Sequence, residues 1–567
     1  MTTAAATATC RGLVVVEAGE HLGAARIEVA GAQNEIHRGS AEGIRVTFAG
    51  RLYEPFRVDP GCPPRNFRDL ACLPPERLHG SFVLVRAHPD GSVEVHTDKY
   101  GLRPVFYQHR NGVVRIATHV RGLDLTGAVV DPEALLHLYS FSVTPNDRHL
   151  LAGVHKIPPG ATLRVRGGRA TVQRYFNLAD VYEPERFAEM SRAELCEEVD
   201  ARLKRAVRRR IPSSGRVALA LSGGVDSGYI AQKLVEAGAD VAAYTLAFGE
   251  SYDEFARTDR LCGMLGIEAR HMVVGDGVAR ENFEDANRIA SEPAAFNNAT
   301  LGLLIAAAAA HGIDTLIDGD GADRLFLGMT RYLQLERAIR VYRRFRKTGL
   351  LPLVTPALGF LPGRKARALR HAFRQWRAGL GPYPERRVDR GAPFDASFER
   401  RVYGLGVARH SAEFERSVGS PDFGTWFSYL STQMCPELFF RDPAELHGAS
   451  GVYAVPGYWD DELVELAFSL PTSWKLRAGK TKYILREAVV TRIDRDYWML
   501  SKIGFQDSFL FATATPDGKV WLAEQRERVR AGPEYALLQD LLPDGVVQPD
   551  RLIGLTIWKH HLGLPAS

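Results

Sequence analysis

Residues 217–221, Val-Ala-Leu-Ala-Leu, form a short apolar run that stops at Ser222-Gly223-Gly224. Val225-Asp226-Ser227 and a stretch of helix-forming residues, 228–236, follow. A strand, a glycine turn and a helix in that order make an anion site. Glycines let the backbone approach a phosphate closely, and the free N–H groups at the helix start point at it. Asp226 narrows the reading, because a carboxylate beside bound phosphates repels them unless Mg²⁺ lies between. No Gly-Lys-Ser/Thr follows, which excludes the Walker loop.

Such a loop commits this part of the chain to alternating strands and helices around a parallel sheet, with ligand at the strand carboxyl ends. The sequence continues in that pattern. A second strand is expected at 241–247, a helix opens at Tyr252-Asp253-Glu254, and a third strand lies at 269–274. Upstream, Leu195, Val199, Leu203 and Val207 recur every four residues and predict a helix leading into the loop. Asp180-Val181-Tyr182-Glu183-Pro184 reads as the linker before it.

The first third has a different character. Apolar runs or alternation at 13–16, 44–48, 81–87, 92–97, 105–107 and 113–118 are separated by turn formers such as Pro89-Asp90-Gly91 and Arg110-Asn111-Gly112. This predicts a layered, β-rich domain. A length of 567 residues accommodates two to four domains, and 45% hydrophobic with 25% charged residues describes an ordinary globular chain. The six cysteines are scattered without a Cys-x-x-Cys pair, so neither a zinc knuckle nor a disulfide framework is expected, and a reducing cytoplasm is the expected setting. Residues 1–9 lack the features of a signal peptide, and the alanine-rich stretch 301–310 is too short to span a bilayer. A net charge of +5 says little about partners.

A second acidic loop lies at 314–328, where an apolar strand runs into Asp318-Gly319-Asp320-Gly321-Ala322-Asp323-Arg324. Three carboxylates within six residues repel unless they are solvated or hold a cation. The spacing has EF-hand flavour but lacks the glutamate that closes such a loop. From Arg337 to Arg377 the chain carries twelve Lys and Arg and no Asp or Glu. That segment reads either as a solvated helical face or as a docking face for an acidic partner or peptide leader. No nucleic-acid reader motif accompanies it.

The hexad Ser222–Ser227 resembles the pyrophosphate loop of the asparagine-synthetase-like ATP-pyrophosphatases, which form an acyl-adenylate on a carboxylate before an amine displaces AMP. Asp98-Lys99-Tyr100-Gly101-Leu102-Arg103-Pro104 and Ala117-Thr118-His119-Val120-Arg121 resemble blocks of that family's glutaminase half. Gly479-Lys480-Thr481-Lys482-Tyr483-Ile484-Leu485-Arg486 resembles its Gly-x-x-Lys-x-x-Leu-Arg, and Ser501-Lys502-Ile503-Gly504-Phe505 its Pro-Lys-x-Gly loop as found in β-lactam synthetases. The implied fold is α/β. An α+β layered domain like the N-terminal-nucleophile hydrolases spans 1–178. A parallel-sheet domain of the adenine-nucleotide-α-hydrolase type spans 190–567, with a basic helical insertion near 333–425.

The implied cofactors are ATP and Mg²⁺. By the resemblance, Asp226 and Asp323 hold the metal. Leu221, Ser222, Gly223, Gly224, Asp226, Ser227, Ala247, Phe248, Gly319 and Lys482 line the nucleotide. Lys482 and Lys502 carry the catalytic positive charge, and Asp320, Arg324 and Tyr332 stand near the substrate. Asp320 and Arg324 replace two glutamates of the family pattern.

The glutaminase half departs further. The first cysteine is Cys10, not the leading residue such an enzyme needs, and Ala49-Gly50-Arg51 stands where the family carries Asn-Gly-Glu to bind glutamine. A disabled glutaminase implies an amine already present on the substrate. The Tyr–Glu base of β-lactam synthetases has no counterpart, since Arg441 falls at the glutamate position. Together with the basic stretch, this leads to the expectation of a lasso-peptide macrolactam synthetase. Its partners would be a precursor peptide, a leader-binding protein and a cysteine-type leader peptidase, with neither nucleic acid nor a membrane span involved. A β-lactam-type small-molecule cyclase, an ammonia-dependent asparagine synthetase and a silent peptide-binding scaffold are the alternatives.

Overall fold

The computed structural model describes residues 13–19, 25–30, 36–53, 58, 67–145, 147–249, 253–348, 396–405, 407–419, 422–435, 450–490, 493, 495–498 and 508–564. The six runs of the first third fall in six of eleven strands among its described residues. The eleven are β1 Leu13–Gly19, β2 Arg26–Ala30, β3 Ile36–Ala41, β4 Ile44–Leu52, β5 Gly80–Ala87, β6 Val93–Thr97, β7 Phe106–Arg110, β8 Val113–Ala117, β9 Val154–Lys156, β10 Ala161–Arg166 and β11 Arg169–Arg174. They form two antiparallel sheets, in the orders β2-β1-β8-β7-β9 and β11-β10-β6-β5-β4-β3. The period-two pattern places Val14, Val16, Val83, Val85, Val114 and Ile116 between the sheets. This is the layered, β-rich domain that the sequence predicts.

The expected helix upstream of the glycine loop runs from Arg192 to Arg210 and opens with a capping box between Ser191 and Glu194. Leu195, Val199, Leu203 and Val207 are all fully buried. The following strands are β12 Arg216–Ala220, β13 Asp240–Phe248, β14 Glu268–Val274, β15 Thr315–Asp318 and β16 Tyr453–Pro456. They make one parallel sheet in the order β14-β13-β12-β15-β16, with Leu219 opposite Ala243 on one side and Ile317 on the other. Chain order runs outward from β12 in one direction and then jumps to β15 in the other. The crevice at the carboxyl ends of β12 and β15 is therefore the switch point where ligands bind in open α/β sheets. Both acidic loops end there.

Three sequence expectations need adjustment. The helix after the glycine loop begins at Val225, not at residue 228, so Asp226 and Ser227 belong to its first turn. The sheet gains β16, which the proline at its end had hidden. Residues 180–184 are not a loose linker: Glu183 N–H donates to Ser469 Oγ at 2.9 Å, and Tyr182 packs edge-on against Phe468.

The two parts share a core. One cluster of buried side chains continues from Tyr100, Leu135 and Tyr139 through Leu219 and Ile317 to Trp558. A buried ion pair also crosses the junction, Lys156 Nζ to Glu292 at 3.0 Å, and Thr144 Oγ1 and Leu150 N–H complete the carboxylate at 2.9 Å each. The start of the basic stretch lies in the helix Thr330–Lys347; 349–395 fall outside the described residues. No helix among the described residues is long and apolar enough to cross a membrane.

Candidate active site

Ser222-Gly223-Gly224 turns the chain from β12 into the helix Val225–Glu236. Gly223 takes φ +66°, a left-handed conformation that suits glycine, and a Cβ there would come within 2.7 Å of the Arg257 side chain. The carbonyl of Gly223 accepts from Tyr497 Oη at 3.1 Å, which pins the turn from outside. Gly224 is the N-cap and no side chain caps the helix, so its first turn presents backbone N–H groups to an incoming anion. Ser227 Oγ accepts the Ser222 N–H at 3.2 Å, folding the loop over the helix start. Leu221 is tied to β13 by its N–H to Tyr244 O at 2.9 Å, and Ala247 and Phe248 are buried at the carboxyl end of β13, on the same side of the sheet as the loop.

The structure brings Asp226, Asp323 and Lys482 to one point. Lys482 Nζ donates to a carboxylate oxygen of Asp226 and forms an ion pair with Asp323, and its side chain is 2% exposed. Burial alone would lower the lysine pKa, but the two carboxylates outweigh it and hold it above the ordinary value. Lys482 thus contacts the pair expected to hold the metal. Lys482 itself has φ +52° at the N-cap of the helix Tyr483–Ala488, an uncommon conformation of the kind that persists where surrounding contacts enforce it. Gly328 explains how the cluster fits. A Cβ there would lie 1.7 Å from Asp323 Oδ1 and 2.0 Å from Lys482 Cε, so only glycine leaves space.

Two oxygen-donor carboxylates converging on one cation suit Mg²⁺, which takes one or two carboxylates and fills its shell with phosphate oxygens and water. The donor set therefore fits the metal the sequence implies. Gly319 packs against Asp226, its Cβ position 2.9 Å from Ser227 N, so the two loops touch. Asp318 and Asp320 are half-buried beside them. Burial, first of all, raises both carboxyls above the usual range; each aspartate's charge also opposes its neighbour's, and Arg324 partly offsets this at Asp320. Arg324 is almost fully buried next to Asp323. Tyr332 is fully buried against Phe427, with ring centroids 4.4 Å apart, so it is packed inside the fold instead of facing open space. Lys502 and its block lie outside the described residues, as do Cys10 and residues 436–449 with Arg441.

Sequence reasoning missed Tyr458 and Trp459. Tyr458 Oη donates to Asp226 O at 3.1 Å and its N–H to Asp320 O at 3.3 Å, while the Trp459 indole nitrogen lies 3.0 Å from the Cβ position of Gly321. The aromatic pair just before the Asp460-capped helix Asp461–Ser469 was the available signal. Arg51, in the position the sequence flagged, is buried. Its Nη2 donates to Thr315 Oγ1 of β15 at 3.1 Å and its guanidinium lies 4.5 Å from the Tyr453 ring centroid.

Comparison with known proteins follows the same division. The family model described as asparagine synthase matches residues 198–540, more than half of the chain, and the one described as glutamine amidotransferase domain matches residues 72–176. Asparagine synthetase (glutamine-hydrolyzing) 1 of Bacillus subtilis is 23% identical over 457 residues, covering 78% of this chain and 69% of the relative. Amidase chyE of Penicillium rubens is 24% identical over 467 residues, covering 71% and 66%. Amidase chry2 of Gibberella zeae is 29% identical over 252 residues, covering 41% and 37%. The chain thus spans from about a third to about two thirds of the length of these relatives.

Proposed function

This chain belongs to the asparagine synthase family and is an ATP-dependent carbon–nitrogen ligase, and on that premise we propose that it adenylates a carboxylate and transfers the acyl group to an amine it does not obtain from glutamine in its own N-terminal domain. The observation that carries the first half is the Asp226–Lys482–Asp323 cluster at the switch point between β12 and β15. A substrate carboxylate oxygen attacks the α-phosphorus of ATP, and the bond to pyrophosphate breaks. The amine nitrogen then attacks the acyl carbon, the bond to AMP breaks, and the amine gives up a proton.

Asp226 and Asp323 are the groups that would hold Mg²⁺, which supplies charge neutralisation on the phosphates. The first-turn N–H groups after Gly224 orient the leaving pyrophosphate. Lys482 is a buried point charge beside the two aspartates, the residue type that would stabilise negative charge on phosphate oxygens bound there. Lys502 is proposed for the charge on the departing AMP.

Arg51 supports the second half. It fills the position where the family pattern has a glutamine-binding acid, and its guanidinium is engaged with β15 and Tyr453. Free ammonia or an added amine is therefore the nitrogen source we propose. The narrower reading is closure of a macrolactam on a lasso precursor, with a leader-binding protein and a cysteine-type peptidase as partners. The same Arg51 observation favours it, since it too draws the amine from the substrate; the relatives, named as asparagine synthetases and amidases, do not single it out.

The test is carboxylate-dependent ATP–pyrophosphate exchange over a panel of amino acids and peptides, followed by amide formation with ammonium or with glutamine. Exchange with at least one carboxylate and product from ammonium or a substrate amine is expected. Equal product from glutamine, with glutamate released, would sink the nitrogen-source half; exchange that survives Asp226→Ala would sink the first.

A further inference from the structure

Tyr458 and Trp459 are adjacent in sequence and touch both halves of the ligase site. The tyrosine reaches the loop that follows β12 through Asp226 O, and the tryptophan packs on the loop that follows β15 at Gly321, whose Cβ position lies 3.0 Å from the indole nitrogen. Neither residue stands by itself. On one side the helix Arg192–Arg210 holds the dipeptide's backbone: Arg210 donates to Trp459 O and to Asp460 Oδ2, and Arg209 pairs with Asp460 at 3.3 Å. The other side faces the N-terminal layers. Asp461, one residue past the N-cap, receives His79 Nδ1 and Lys99 Nζ, the latter at 2.7 Å. The Tyr100 ring packs on the Trp459 indole with centroids 5.8 Å apart, and both rings are buried.

We propose that Lys99, Tyr100 and His79 are positioning residues for the ligase site: by gripping Asp461 and packing on Trp459 they hold Tyr458 and Trp459 against the loops that carry Asp226 and Asp320. The N-terminal layers are then a brace on which adenylation depends. The physical reason is that the segment 457–460 is a short connection between β16 and a helix. Gly457 N–H and Tyr458 N–H donate to Asp318 O at 3.0 Å and Asp320 O at 3.3 Å on its inner side, and the contacts with the N-terminal layers support it from the outer side. Two donors on one largely shielded carboxylate make that contact directional, and the aromatic packing adds roughly 0.5–1.5 kcal/mol beyond its buried area. This inference deepens the ligase reading and rests on it for its kinetic arm only.

The experiment uses the full chain with Lys99→Met, Lys99→Arg, Trp459→Phe and the double variant Lys99→Met/Trp459→Phe. Arg110→Met, which breaks an exposed pair with Asp124 on the far hairpin, is the control. Pyrophosphate exchange is expected to lose about tenfold to a hundredfold in kcat in Lys99→Met, with the KM for ATP within about twofold, and to recover in Lys99→Arg. The loss in the double variant should fall well short of the product of the two single losses, because both act through one indole. Backbone hydrogen exchange should rise at 457–462 and 319–323 in Lys99→Met while β12 and β13 stay protected.

An unchanged kcat, losses that multiply independently, or a uniform rise in hydrogen exchange across the whole sheet would each overturn the brace. If the wild-type chain shows no exchange with any carboxylate, the ligase reading fails. The hydrogen-exchange pattern then decides the brace by itself.

Discussion

Gly328→Ala adds one methyl group where the structure has no room for it. The new carbon would sit 1.7 Å from Asp323 Oδ1 and 2.0 Å from Lys482 Cε, about half of an ordinary contact. Neither neighbour is a free end that can swing aside. Asp323 is in the short helix Ala322–Leu325, and Lys482 is buried with its ammonium between two aspartates. Relief therefore requires a displacement of more than an ångström in at least one member of the cluster. A misplacement of that size costs about a hundredfold in rate, and overpacking a filled site costs about 1–3 kcal/mol of stability. The assay is pyrophosphate exchange alongside thermal unfolding. Gly263→Ala is the matched control: it lies in the helix Asp253–Leu265 and has nothing within 4 Å of its Cβ position, so alanine there should leave the rate unchanged and stabilise by up to about 1 kcal/mol. Wild-type exchange in Gly328→Ala would refute the placement of Asp323 and Lys482 around this glycine.

Three further outcomes follow from buried charge. Lys475 is fully buried, its Nζ donates to Ser428 Oγ at 3.5 Å, and burial pulls its pKa down to about 8. Because the unfolded chain holds that proton up to about pH 10, stability should rise with pH between about 8 and 10 on account of this group; Lys475→Met should raise the melting temperature at pH 7 and flatten that rise, and a lower melting temperature would count against it. Lys156→Met leaves the fully buried Glu292 without its cation and should cost about 3–5 kcal/mol in urea unfolding, with partial recovery on adding Glu292→Gln; equal losses in the single and double variants would contradict a paired charge. Arg51→Glu restores the family's acid but buries a carboxylate against Thr315 and Tyr453. It should lower the melting temperature and release no glutamate from glutamine, and a gain of glutaminase activity would overturn the reading of Arg51.

The local chemistry of the site was legible because it is written in contiguous residues. A strand, Ser222-Gly223-Gly224 and a helix with Asp226 in its first turn form a unit whose geometry depends on near neighbours only. The same holds for the Leu195–Val207 stripe and for the alternation of the N-terminal strands, since both are periodicities of the backbone itself. The boundary errors have equally local causes. Val225 joined the helix because Gly224 could serve as its N-cap, and β16 was obscured by Pro456, which ends a strand but does not prevent one.

What folding alone decided is which distant residues meet. Asp226 and Lys482 are 256 positions apart, and nothing in either neighbourhood says that the lysine will lie between two aspartates instead of on a phosphate. That arrangement follows from the parallel pairing of β12 with β15, which brings two acidic loops to one crevice and concentrates negative charge that a buried ammonium then balances. Arg51 is the complementary case. In the sequence it is a missing acid; in the structure it is a contact between the N-terminal layers and β15. The sequence determined the anion loop, the two-part architecture and the ligase family. The tertiary structure determined the cluster, the role of Tyr458 and Trp459 at both loops, and the burial of Arg51, because each depends on packing between segments that no local pattern encodes.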